Sequence, residues 1–117
     1  MEQLYSGIII EEALDDNLLI NNLMIEKVCI TEHENRQDRW HMYQVKISLD
    51  KINELAGHII DDWYIHFWNG SDIIALFTGN RRFRFNYDNK ETWEEVLEYG
   101  RSIGIPDEQL DFPIRGL

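Results

Sequence analysis

Cysteine is all but missing from this chain: Cys29 stands alone among 117 residues. No internal disulfide can form, which agrees with a reducing compartment. Long apolar runs are missing as well, since no stretch approaches the ~20 residues of a membrane span. The start, Met1-Glu2-Gln3-Leu4-Tyr5, has neither the basic region nor the apolar core of a secretion signal. These absences lead us to expect a cytoplasmic protein without a membrane partner. Positive charge is scarce too, with 11 Lys and Arg against 22 Asp and Glu and a net charge of −11. The imbalance is uneven: residues 1–38 hold nine acids and two bases, 39–87 five and six, and 88–117 eight and three. Such a surface repels a phosphate backbone, so direct nucleic-acid binding is not expected. Solubility is the plain use of this charge. Mimicry of nucleic acid, or docking of a basic partner, is the sharper use.

The usual marks of catalysis are also absent. His33, His41, His58 and His66 show no His-x-x-x-His spacing and Cys29 has no Cys-x-x-Cys partner, so no metal site is expected. There is no nucleophile elbow, phosphate loop or dinucleotide fingerprint, because Gly70, Gly79, Gly100 and Gly104 are isolated turn or cap glycines. No catalytic residue and no cofactor is assigned.

What the chain does have is concentrated in residues 63–87. Three apolar and aromatic runs, 63–68, 73–77 and 82–87, are separated by Asn69-Gly70-Ser71-Asp72 and Thr78-Gly79-Asn80-Arg81. Aromatic and β-branched residues suit strands, and Gly and Asn supply positive φ cheaply, so the passage reads as a three-stranded meander. The middle run has no polar residue, as a strand covered on both faces requires. The third alternates Phe83, Phe85 and Tyr87 against Arg82, Arg84 and Asn86.

The flanking segments complete a domain of residues 1–117, large enough to bury roughly two-thirds of its unfolded surface. Residues 6–14 read as a strand broken by Asp15-Asp16-Asn17, and 24–33 as a second strand. Residues 34–39 form a polar loop of hairpin length, and 40–47 a third strand. Ser48 or Asp50 can cap a helix to about Asp62, with Ile52, Leu55, Ala56 and Ile59 on one stripe. Gly57 within it hints at close packing against a strand. After the meander, Thr92 and Glu95 have capping-box spacing, and Gly104-Ile105-Pro106 stops the second helix. The order βββαβββα predicts an α+β fold, a largely antiparallel sheet of about six strands with both helices on one face.

Several of these stretches look familiar together: Gly7-Ile8-Ile9-Ile10-Glu11-Glu12-Ala13-Leu14, the strand 40–45, Trp63-Tyr64-x-x-Phe67, and the apolar strand ending in Phe77. Tyr99-Gly100 and Gly104-Ile105-Pro106-x-x-Gln109-Leu110-Asp111-Phe112 complete the set. Over nearly its whole length the chain resembles a family of short uncharacterised bacterial and archaeal proteins, most specifically through the closing segment. Where that family has a small residue followed by an acid, this chain has Ile65-His66. The resemblance implies a free-standing cytoplasmic domain and assigns no activity.

Tyr64, His66 and Trp68 project from one face of one strand and form the first candidate binding row. Arg82 and Arg84, with Arg81, are placed on the same face as an anion-binding complement, although pairing with acids on neighbouring strands is their commoner use. Glu11 and Glu12 end the first strand on opposite faces, so they form no acid/base pair, yet one of them can reach His66. Three readings follow. The leading one is a non-catalytic module that binds a protein partner or a second copy through the aromatic face. The second is a small-ligand-binding domain or enzyme with a pocket around Tyr64, His66, Trp68 and Arg84. The third is an acidic nucleic-acid mimic.

Overall fold

The computed structural model describes residues 3–117. Six strands, β1 (Leu4–Ile10), β2 (Met24–Ile30), β3 (His41–Ser48), β4 (Tyr64–Asn69), β5 (Asp72–Phe77) and β6 (Arg81–Asn86), form one sheet. Their order is β2-β3-β1-β4-β5-β6, with every neighbouring pair antiparallel. Helix α1 (Leu49–Leu55) follows β3 and helix α2 (Glu94–Ser102) follows β6. The fold is α+β. Among the described residues no helix is long and apolar enough to cross a membrane.

Local chemistry builds the meander β4-β5-β6. Gly70, at φ +57, opens a two-residue loop between the paired Asn69 and Asp72, and Gly79 and Asn80, at +75 and +59, close the loop before Arg81. Ile73, Ile74, Ala75, Leu76 and Phe77 are all buried. The apolar run 73–77 of β5 therefore has a layer on each side.

Those two layers are where the helices part company. Ile65 and Phe67 of β4 and Ile74 and Leu76 of β5 belong to a core with Val45, Ile47, Ile9 and the α1 residues Ile52 and Leu55. Ile73, Ala75, Phe77 and Phe85 belong to a second core with Trp93, Val96 of α2, Ile105, Leu110 and Phe112. The helices thus pack on opposite faces, not on one. An amphipathic stripe says that a helix has a buried side but not which face of a sheet it meets.

The helix ends depart from the sequence pattern as well. Ser48 caps α1 by accepting from the Lys51 N–H at 3.3 Å, but the helix ends at Leu55. Beyond it the chain bonds to the segment after β1: Leu14 and Ile59 form a bridge, Ile60 N–H donates to Ala13 and Asp15 N–H to His58. These long-range bonds keep Ile59 buried without helix. A Cβ on Gly57 would meet nothing within 4 Å, so that glycine marks the helix end and not a close approach. At α2 no capping box forms. The Thr92 hydroxyl instead accepts from Asn86 N–H and donates to the Asn89 carbonyl, tying a 3₁₀ turn, Lys90–Trp93, to β6 before the helix begins at Glu94.

Candidate functional site

The aromatic row of β4 lies in the second core. Tyr64 stacks 5.2 Å from Phe77 and 5.3 Å from Phe112, and His66 meets the Phe112 ring edge-on at 5.4 Å. The tail after α2 lies across them: the Tyr64 hydroxyl donates to the Gln109 carbonyl, and His66 Nε2–H donates to the Pro113 carbonyl at 2.8 Å. The tail then continues over the sheet, where Leu117 N–H reaches Gln44 at 2.7 Å and Lys27 Nζ donates to the Leu117 carbonyl. Burial, with the nearby Asp111 charge, raises the Tyr64 pKa to about 12. Burial lowers that of His66, against the opposing pull of the Pro113 carbonyl and Asp111. Both side chains are therefore neutral near pH 7, and the row expected to offer an open face is largely roofed by the chain itself.

Arg82 and Arg84 do not join this row, whereas Arg81 pairs with Phe77 and lies 5.0 Å over the Tyr99 ring on the second face. Register pairs Arg82 with Leu76 and Arg84 with Ile74, which places both on the α1 face, opposite His66. Arg84 forms a two-bond pair with Asp72, at 3.1 and 2.7 Å, and the Tyr5 hydroxyl donates to the same carboxylate at 2.6 Å. Arg82 donates to Asn53 of α1. Burial pushes the Asp72 carboxyl up, but the bonds from Arg84 and Tyr5 outweigh it and the net shift is downward. Arg82 and Arg84 do line a cleft of about 550 Å³ beside Leu49 and Asn53. Arg84 is engaged by Asp72 and Tyr5 and Arg82 by Asn53 through one nitrogen.

Glu11 and Glu12 are brought together by a feature the strand pattern hid. The chain leaves β1 in a 3₁₀ turn, Glu11–Ala13, so alternation stops and both acids reach β3. Glu12 accepts from the His41 backbone N–H and from its ring Nδ1, each at 2.8 Å, while Glu11 accepts from the Tyr43 hydroxyl at 2.8 Å. Neither contacts His66, whose partner is the Pro113 carbonyl. The hydrogen bond to Glu12 raises the His41 pKa. Burial alone would raise Glu12, but the bonds from His41 lower it overall. Donor atoms of Glu11, Glu12 and His41 lie within 4.8 Å of one another, the group nearest to metal-ligand spacing among the described residues. Hydrogen bonds already engage all three, Glu12 with His41 and Glu11 with Tyr43, and they clamp the end of β1 to the start of β3.

Another concavity, walled mostly by aromatic and apolar side chains, is more open to chemistry. The ladder between β1 and β4 holds only Ser6–Trp68 and Gly7–Phe67. Past Gly7 no further ladder pair forms, and a groove of about 720 Å³ lies over the two strands on the second face. Its walls are Ile8 and Ile10 of β1, Tyr64 and His66 of β4, Trp40 and Trp63 from the adjoining loops, and Ile105, Gln109, Asp111 and Pro113 of the tail. The Trp40 and Trp63 rings meet edge-on at 5.1 Å. Tyr64 and His66 are thus in one site, whereas Trp68, Arg82, Arg84, Glu11 and Glu12 do not line it. Trp40, expected to begin the third strand, lies just before β3, and Asp62 and Asp111 come from a loop and a tail with no periodicity. No family model, no curated protein and no solved structure matches this chain.

Proposed function

We propose that the protein is a non-catalytic binding domain that takes a small ligand in the groove between β1 and β4. The observation carrying this reading is an aromatic-walled concavity with a few polar groups over two central strands, the composition typical of ligand sites. No Ser, Cys or Lys is among the lining residues, and the ring nitrogen of His66 that carries its proton is held by Pro113. The thiol, aliphatic hydroxyl and amine nucleophiles are therefore lacking, which favours binding over covalent chemistry. The closing segment 104–112, on which the family resemblance mainly rests, supplies Ile105, Gln109 and Asp111 to the wall, and we keep that kinship as part of the reading. We place the protein in the cytoplasm on the strength of its lone Cys29. The test is a metabolite panel read by thermal shift and by NMR of the His66 and Trp40 side chains. Ligands that raise Tm should move both resonances, and Ile8→Trp, which fills the groove, should abolish the shifts while the protein stays folded. Ligands that stabilise Ile8→Trp equally would rule the groove out.

A second reading, docking of a protein partner or a second copy, is favoured by the edge strand β2. Met24, Ile25, Val28 and Ile30 are 42–61% exposed there, an apolar density unusual for a free edge. Against it, a bulge between Ile25 and Lys27 and the charges of Glu26 and Lys27 interrupt the edge, devices that discourage strand pairing. Light scattering on the native protein and on Val28→Glu separates the two cases: a self-associated protein made monomeric by the substitution supports docking.

A further inference from the structure

We propose that the groove selects an organic ammonium cation on an aromatic or apolar body, an inference that rests on reading the groove as a ligand site. Two carboxylates, Asp62 just before β4 and Asp111 on the tail, are among its lining residues, and no Lys or Arg is. Some acids elsewhere have partners, Asp72 with Arg84, Asp107 with Arg101, Glu12 with His41 and Asp15 with His58, but what sets Asp62 and Asp111 apart is their place beside aromatic rings in a groove. Among the described residues neither the Asp62 nor the Asp111 side chain has a hydrogen-bond or ion-pair partner. Both acids border aromatic rings. Trp40 is 43% exposed and meets Trp63 at an interplanar angle of 69°, so indole surface is open at the groove, and indole faces attract cations more than other aromatic faces do. The field of Asp111 reaches the floor, where it helps hold the Tyr64 phenol protonated and opposes the lowering at His66. With both of those groups neutral, the groove carries negative charge only. The net charge of −11 draws cations toward it and repels anions.

A matched series tests the charge separately from the shape: phenethylammonium, 2-phenylethanol and phenylacetate share one aromatic body and are cationic, neutral and anionic at neutral pH. Titrated against the intact protein with the Trp40 indole and His66 resonances as reporters, phenethylammonium should bind about tenfold tighter than the alcohol, a gain in the range of a cation held by an aromatic face and a carboxylate. Phenylacetate should bind weakest. Asp62→Asn and Asp111→Asn change exposed residues, and each should weaken the cation several-fold while leaving the alcohol unchanged. Trp40→Ala should weaken both. If the alcohol binds as tightly as the ammonium and the Asn variants change nothing, the cation assignment is overturned and the groove stands as a neutral-ligand site. If all three compounds leave Trp40 and His66 unmoved, the assignment and the reading of the groove fall together.

Discussion

Gly7 governs how β1 meets β4. A Cβ at that position would lie 2.3 and 2.8 Å from Cδ1 and Cε1 of Phe67, the residue it pairs with across the ladder. The requirement is space, since an aromatic ring lies flat over the bare backbone of its neighbour. Phe67 is fully buried and has nowhere to go, so Gly7→Ala should overpack the first core and cost about 1–3 kcal/mol. Urea denaturation measures that cost, and an unchanged midpoint would mean that Phe67 swings aside freely. The Ser48 cap is a smaller case. Its hydroxyl satisfies one N–H at the start of α1, and Ser48→Ala should cost about 1 kcal/mol, within reach of the same experiment.

At the scale of elements, the tail behaves as a third layer rather than as an end. Phe112 is fully buried and its ring lies 5.0–5.4 Å from Tyr64, His66, Phe85 and Trp93, so it joins β4, β6 and the turn before α2. Phe112→Ala should cost about 3–5 kcal/mol, and native-state hydrogen exchange should show β4 and α2 losing protection together. Loss confined to residues 105–117 would make the tail a separable flap. This tail was legible in part, because Gly104 and Pro106 announce the helix stop and the apolar Leu110 and Phe112 announce a packed return. What it packs on was not legible. The hairpins were readable because their turns are local chemistry at Gly70, Gly79 and Asn80. The central place of β1, between β3 and β4, depends on pairs 32 to 62 residues apart, and no local pattern encodes them. The same limit applies to the site. Tyr64 and His66 were found because strand alternation puts them on one face, while the placing of Arg82 and Arg84 beside them failed because the face of β6 is set by its register with β5. The Glu12–His41 pair stayed hidden because a 3₁₀ turn replaced the alternation assumed for Glu11 and Glu12.

For the molecule as a whole, two histidines pull the stability in opposite directions with pH. The His41 pKa is raised above its ordinary 6.5, so the folded state takes up that proton first as pH falls. Its contribution is complete below 6.5 and is lost as pH rises through the folded value. The His66 pKa is lowered below 6.5, so the unfolded state takes up that proton first, and stability falls as pH drops from 6.5 toward the folded value. Glu12, held below its ordinary 4.5, contributes fully above 4.5 and weakens the clamp only in stronger acid. Where His41 finishes gaining, His66 begins to lose, and stability above pH 5 should peak near 6.5. The two limbs are separable. His66→Gln keeps a donor for the Pro113 carbonyl without the titrating ring and should flatten the fall between pH 6.5 and 5. His41→Gln should flatten the fall above 6.5, by less, because that pair is exposed to solvent screening. Urea midpoints measured from pH 5 to 8 on the three proteins decide it. An acid limb that survives in His66→Gln would show that carboxylates, not the imidazole beneath the tail, set the response of this acidic protein to acid.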